Sequence, residues 1–391
     1  MCRRYTSRMP APRPLLGGLS AKEFLRDFWQ KRPLLVRRAL PGAAELIGSQ
    51  ALLSLAASDA VESRLILRGS GARRWRVIPG PLSGRVLARQ PARNWTVLVN
   101  GVNLHSSSAD ALLQRFAFAS WARLDDVMAS YAADGGGVGP HVDSYDVFLL
   151  QGTGRRRWRL MPPHSGARGF ALVQDAPLRL IADFQPTEEM TLEAGDMLYL
   201  PPGWGHDGVA LGPCMTYSVG FRAPRGAELS AAFLDFLHAR GFADAAYRDP
   251  GRLAATHPAL IDPHMIRHAA DTLRRIRWSR ADVGEFLGCF LSEPKQHVVF
   301  TPPSRPLGRA AFARRLSRAR VLLDPSTRLL AHGARFFING DSFVASARAR
   351  PALLALADNR RAEGSRLARV RAGDLIFDWY RQGFLGLERS R

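Results

Sequence analysis

Lysine is nearly missing: Lys22, Lys31 and Lys295 are the only three among 55 basic residues in a chain of 391. Acidic residues are also few, so the formal net charge of +21 rests almost wholly on arginine. Such a field favours an acidic, RNA-rich or ribosomal neighbourhood over a membrane surface. Cysteine is scarce as well. Cys2, Cys214 and Cys289 stand far apart with no C-x-x-C pair, which argues against a disulfide scaffold and a thiolate metal site and suits a reducing cytoplasm. No apolar run approaches the roughly 20 residues needed to span a bilayer. The basic, proline-bearing residues 1–14 lack the apolar stretch of a secretory signal. What remains is a cytoplasmic globular protein, with length enough for two or three domains that each have a core.

Along the chain the periodicity changes character twice. A basic leader, 1–19, precedes a short helix over 20–30, where Ser20 and Glu23 have capping-box spacing and Phe24, Leu25, Phe28 and Trp29 give an apolar face. Strand-like runs follow at 63–67, 74–78 and 95–99. From 123 to 210 the chain reads as short strands broken by glycine and proline, as in a barrel or jelly roll, and a final strand covers 215–221. Beyond residue 223 helices dominate, with predicted spans 227–239, 263–278 and 280–291. Past a proline-rich boundary at 294–306, a helix near 310–320 and a hairpin at 335–344 with an Asn339-Gly340 turn suggest a winged-helix-like unit.

The chemistry centres on His141-Val142-Asp143, emerging from the glycine-rich turn 135–139. Residues two apart on a strand face the same way, so this imidazole and carboxylate form two arms of a 2-His-1-carboxylate triad. An isolated H-x-D pair is ordinarily just a solvated turn. A third arm changes that reading: His206 follows the rigid Pro201-Pro202-Gly203 turn at the start of a fresh strand. His105 and His164 lie near loops, and His238, His257, His264 and His268 fall in the helical region, where surface or structural roles are the rule. Three ligands on one octahedral face leave three positions open for a bidentate cosubstrate and dioxygen at iron(II). A closed zinc site would need a fourth protein ligand, and no cysteine is placed to supply it.

Three motifs stand in order: G-G-G-V-G-P-H-x-D-x-Y-D-V-F at 135–148, G-x-R-R-W-x-L at 154–160 and G-D-x-L-Y-x-P-P-G-x-x-H at 195–206. Together they resemble the JmjC-type cupin oxygenases, and within them the bacterial ribosomal oxygenases. W-Q-K-R-P-L-L-V-R at 29–37 and Y-S-V-G-F-R-A-P at 217–224 resemble the same family. The resemblance implies an α+β chain: a double-stranded β-helix (cupin, jelly-roll) catalytic domain over 20–222, a helical dimerisation segment over 223–293 and a winged-helix-like domain over 294–391. It implies iron(II) on His141, Asp143 and His206, with 2-oxoglutarate and dioxygen as co-reactants. It implies that Arg156, helped by Ser130, meets the 2-oxoglutarate C5 carboxylate; strand alternation then puts Arg155, Arg157 and Arg159 on the opposite, solvated face. The implied reaction is hydroxylation at C3 of an arginine in a large-subunit ribosomal protein by a homodimer, with nucleic acid met only through the ribosomal context.

Strand parity then extends the site. If Ser130 points into the barrel, so do Met128 and Asp126, while Tyr145 shares the face of His141 and Asp143. An acid, a thioether and an aromatic ring suit a guanidinium on an aliphatic stem, and Ser218 offers one more hydrogen bond. The plainer reading has Met128 and Tyr145 as barrel filling and Asp126 as a turn cap; Asp146 faces away from the metal and is structural. Two alternatives stay open: a histidine hydroxylase of the same fold, and a ribosome- or RNA-binding protein with an inert barrel, for which Arg309, Arg314, Arg315, Arg318 and Arg320 on one predicted helix speak.

Overall fold

The computed structural model describes residues 15–68, 75–163, 169–241 and 246–389. Most of the basic leader, together with Cys2, His164 and the first residue of the strand expected over 74–78, lies outside the described residues. The chain divides into two compact units, 1–223 and 224–391.

Among the described residues the first unit is built on ten strands: β1 (Leu34–Val36), β2 (Ser63–Arg68), β3 (Trp75–Pro79), β4 (Trp95–Val99), β5 (Leu124–Ala132), β6 (His141–Val142), β7 (Val147–Met161), β8 (Glu188–Leu192), β9 (Met197–Leu200) and β10 (Gly205–Phe221). They pair antiparallel in the order β1-β9-β7-β10-β5-β4-β2-β3, with β6 on β10 and β8 on β7. The fresh strand expected to start at His206 and the strand expected at 215–221 are one continuous element, β10. Gly212, at φ +79°, and register shifts between Leu211 and Thr216 let it bend without breaking.

The same irregularity reverses the faces of β7. Leu149 clusters with Trp158 and Leu160 inside the barrel, whereas Phe148 and Leu150 pack outward beneath the helices. Odd positions therefore point inward before the bulge and even positions after it.

The outer layer is aromatic. Phe24, on the helix Ala21–Asp27, meets Tyr199 at 4.9 Å and Phe148 at 5.5 Å between ring centroids. Both halves of the capping box form: Ser20 Oγ accepts from the Glu23 N–H at 3.2 Å, and Glu23 accepts from the Ser20 N–H at 2.8 Å. Asp146 is the polar anchor of this layer. Fully buried, it accepts from Tyr199 Oη at 2.7 Å and Gln30 Nε2 at 3.0 Å and pairs with Arg123 at 3.1 Å. The Gly195-Asp196 turn is tied similarly, Asp196 accepting from the N–H groups of Arg38 and Glu193 and pairing with Arg37 at 2.6 Å.

The second unit opens with helices Gly226–Ala239, Pro263–Arg274 and Arg280–Ser292. Two three-stranded sheets follow, with helices Arg309–Leu316, Arg350–Asn359, Gly364–Arg369 and Gly373–Arg381 around them. The Asn339-Gly340 turn joins strands Arg335–Ile338 and Asp341–Val344. Helix Arg280–Ser292 packs on that hairpin: Gly288 sits against the Phe337 ring, Glu285 pairs with Arg335 at 2.9 Å, and Ser292 Oγ accepts from the Gly340 N–H at 3.1 Å. That packing runs across residue 293. The helix expected over 310–320 stops at Leu316, and Ala319–Leu323 is a strand, so Arg318 and Arg320 do not share its face.

Candidate metal centre and cosubstrate cleft

His206, the second residue of β10, is wedged between two partners: its register neighbours are His141 on β6 and Leu160 on β7. The two imidazoles therefore face each other, with centroids 4.2 Å apart. Asp143 follows β6 directly, and its Oδ2 lies 3.6 Å from His206 Nε2. One ligand atom from each of the three lies within 4.8 Å of the others. Among the described residues this is the one such group of three or more histidine, cysteine or acidic side chains.

Backbone carbonyls orient both rings. His141 Nδ1 is 2.9 Å from the Gly139 oxygen and His206 Nδ1 is 3.0 Å from the Trp204 oxygen. A carbonyl can only accept, so each Nδ1 carries the proton and each Nε2 keeps a lone pair aimed at the centre. Gly139 reaches the needed conformation at φ +81°, where a side chain would also strike Trp75 and Leu180. His206 is 2 % exposed; burial, then the nearby His141, hold it well below the ordinary imidazole range, as a neutral donor. Two ring nitrogens and a carboxylate that converge on one point, with no fourth such ligand beside them among the described residues, fit an octahedral ion that keeps open positions.

Further along the same face of β7 and β10 lies Arg156, 4 % exposed and opposite Ala210. Its Nε has no partner among the described residues, and one terminal nitrogen reaches only Cys214 Sγ at 3.6 Å. Ala132, Ala210 and Cys214 form a small buried apolar wall beside it. Trp158, two residues on, also leaves its buried Nε1–H without a partner. A buried guanidinium beside an orphaned indole N–H is costly unless an acceptor completes it, so the cleft suits an acidic ligand. Ser130 is buried on the neighbouring strand, its Oγ donating weakly to the Thr216 oxygen at 3.4 Å.

Ser130 and Thr216 are register partners, as are Met128 and Ser218, so β5 presents Met128 and Ser130 on one face beside Ser218, whereas Asp126 falls in the stretch between Leu124 and Val127 where the register shifts and strand parity does not place it. Tyr145 is placed differently from the strand parity expected of it. β6 ends at Val142, and Tyr145 stands in a bend, 38 % exposed, its ring edge 4.0 Å from the Cβ position of Gly220. Desolvation, then Asp143, Asp126 and Asp125, hold its phenol above the ordinary range, which puts it among the acids at the mouth. The solvated-face expectation fails for Arg159: it pairs with the buried Asp207 directly behind His206, while Arg155 is exposed. Trp158 and Cys214 were missed from sequence. Trp158 was accessible by parity from Arg156, whereas Cys214 and the Arg159–Asp207 pair required the strand register.

Comparison with known proteins agrees with this architecture. A JmjC domain model matches residues 111–229, and a ROXA-like winged-helix model matches 275–386. The chain is 34 % identical over 345 residues to the ribosomal protein uL16 3-hydroxylase of Escherichia coli (strain K12), covering 87 % of this chain and 89 % of that one. It is 38 % identical over 205 residues to a probable ribosomal oxygenase of Haemophilus influenzae, covering 51 % and 49 %. The solved structure of YcfD, a ribosomal oxygenase from Escherichia coli, in complex with cobalt and 2-oxoglutarate superposes with a TM-score of 0.79 at 31 % identity, over 95 % of this chain and 98 % of that one. The barrel, its histidine–carboxylate centre and the winged-helix unit define a JmjC-type oxygenase architecture. The chain belongs to the ribosomal oxygenases of that class.

Proposed function

We propose that this chain is an iron(II)- and 2-oxoglutarate-dependent hydroxylase that adds oxygen at C3 of an arginine in a large-subunit ribosomal protein. The observation that carries the reading is the combination of His141, Asp143 and His206 with a buried Arg156 on the same barrel face, whose Nε has no partner among the described residues. Four residues of strand separate His206 from Ala210, the register partner of Arg156, a rise of about 13 Å. The activity and substrate of the Escherichia coli uL16 3-hydroxylase support the assignment.

His141, Asp143 and His206 would hold the iron, whose chemistry when bound is oxygen activation coupled to decarboxylation of 2-oxoglutarate. Arg156 would clamp the C5 carboxylate with its planar fork, and Ser130 would add a hydrogen bond. Asp126 would pair with the substrate guanidinium while Met128 and Tyr145 pack along its methylenes and Ser218 fixes its rotation. These residues hold one C–H bond at the metal face and keep water out, which is the protein's share of the catalysis.

The helical part of the second unit supports a homodimer. Leu260, Ile261, Ile266 and Leu273 are each more than half exposed, and apolar surface of that extent on one segment marks an association face. Among the described residues no helix is long and apolar enough to cross a membrane, in keeping with work beside cytoplasmic ribosomes. The test is incubation of the intact chain with iron(II), 2-oxoglutarate and the ribosomal protein. The expected result is a gain of one oxygen on an arginine, absent with Asp143→Ala; a histidine carrying the oxygen would favour the alternative hydroxylase, and no gain would sink the substrate assignment.

A further inference from the structure

The second unit contains a cleft that the oxygenase chemistry does not use. Between residues 309 and 389 sixteen arginines stand against seven carboxylates, and five of them converge on one concavity of about 700 Å³. Arg320 comes from strand Ala319–Leu323, Arg361 from strand Arg361–Glu363, Arg366 and Arg369 from helix Gly364–Arg369, and Arg348 from the turn before helix Arg350–Asn359. Glu363 is the sole acid in the lining, and it pairs with Arg320 at 3.3 Å. Among the described residues no carboxylate pairs with Arg348, Arg361, Arg366 or Arg369, and all four are exposed. The remaining walls are alanine, proline, valine and Asn359, with no aromatic ring.

We propose that this cleft binds the phosphate backbone of double-stranded RNA. Four unneutralised guanidiniums repel one another, and a polyanion that spans them relieves that repulsion while releasing its own counterions. Their spread over three elements, at exposed positions, suits successive phosphates of one backbone better than a single small anion, which is held by buried donors converging on one point. The lack of aromatic lining argues against splayed single strands, whose recognition depends on base stacking. Contacts of this kind position a protein on a helix without reading its sequence. The unit would thereby hold the oxygenase against an RNA surface next to its protein substrate.

The test uses the full chain, with fluorescence anisotropy of a labelled RNA hairpin duplex across a salt series. Wild type should bind with log K falling linearly against log salt, and Arg366→Ala/Arg369→Ala should make that slope shallower by about two. Arg314→Ala/Arg315→Ala, on exposed helix positions outside the cleft, serves as the charge-matched control and should change the slope far less. Asp143→Ala should bind RNA as wild type does, so this outcome is separate from hydroxylation. Four results would overturn the proposal: no binding to the duplex, equal slope changes in both double variants, preference for unstructured single strands, or displacement by inorganic phosphate or polyglutamate beyond the effect of their ionic strength.

Discussion

His206 Nε2 and Asp143 Oδ2 stand 3.6 Å apart, too far for a good hydrogen bond and suited to two ligands of one ion. Both imidazole Nδ1 atoms are already committed to backbone carbonyls. Removing the carboxylate leaves two nitrogens that cannot hold an octahedral ion alone. Asp143→Ala should therefore weaken cobalt(II) binding, read from its visible spectrum, by more than the roughly 10–100-fold that loss of an outer-shell partner costs. Unchanged cobalt affinity would remove this group from the metal centre.

Arg156 is the corresponding test for the cosubstrate. Loss of a hydrogen bond to a charged group costs about 1.5–3 kcal/mol, so Arg156→Ala should raise the KM for 2-oxoglutarate roughly tenfold to a hundredfold. Arg156→Lys keeps the charge but loses the fork, and should recover only part of that. Cobalt affinity in the absence of 2-oxoglutarate should not move. A KM unchanged in both variants would assign the carboxylate elsewhere.

Asp146 lies three residues from a proposed ligand, yet its contacts are with Tyr199, Gln30 and Arg123. Asp146→Ala leaves a buried phenol, an amide and a guanidinium without their acceptor, and breaking such a pair costs about 3–5 kcal/mol. Thermal unfolding should show a large drop in Tm. If Tm is preserved and activity alone is lost, the structural assignment is wrong.

The pH dependence of stability should carry a contribution from Asp196. Burial raises its carboxyl, but hydrogen bonds from the Glu193 and Arg38 N–H groups and the Arg37 guanidinium outweigh it and hold the group below the ordinary carboxylate range. A depressed folded-state value means that the unfolded chain binds the proton more readily, so stability falls as acid is added. The contribution is complete above about pH 4, the unfolded value, and is lost as pH falls through the folded one. Denaturant midpoints of wild type and Asp196→Asn should converge toward acid; a gap that widens there would contradict the sign.

The proposed pairing of Asp126 with the substrate guanidinium can be tested apart from the core reaction. Asp126→Asn should raise the KM for the ribosomal peptide while leaving peptide-independent 2-oxoglutarate turnover unchanged. Equal loss of both activities would place Asp126 in the metal or cosubstrate machinery instead.

What the sequence made legible was local. The pair His141 and Asp143 and the Pro-Pro-Gly turn before His206 follow from short-range spacing, as do the Ser20 cap and the Asn339-Gly340 turn, whereas the place of Arg156 came with the family resemblance. What it concealed depended on register. The bulge that joins two expected strands into β10 also reverses the faces of β7, so parity counted from Leu149 would have turned Arg156 outward. Tyr145 escaped strand alternation because β6 stops after two residues, and the packing of helix Arg280–Ser292 on its hairpin is a tertiary contact that no local pattern encodes. Long-range pairing decides these positions, and a single sequence does not specify it.

Tandem mass spectrometry of the large-subunit ribosomal protein after incubation with the intact chain, iron(II), 2-oxoglutarate and air, with succinate measured in the same samples, decides whether the chain has the proposed activity. One added oxygen on an arginine side chain is expected, matched by succinate and abolished by Asp143→Ala. An unmodified protein, under conditions where metal and 2-oxoglutarate are both bound, would contradict the proposal.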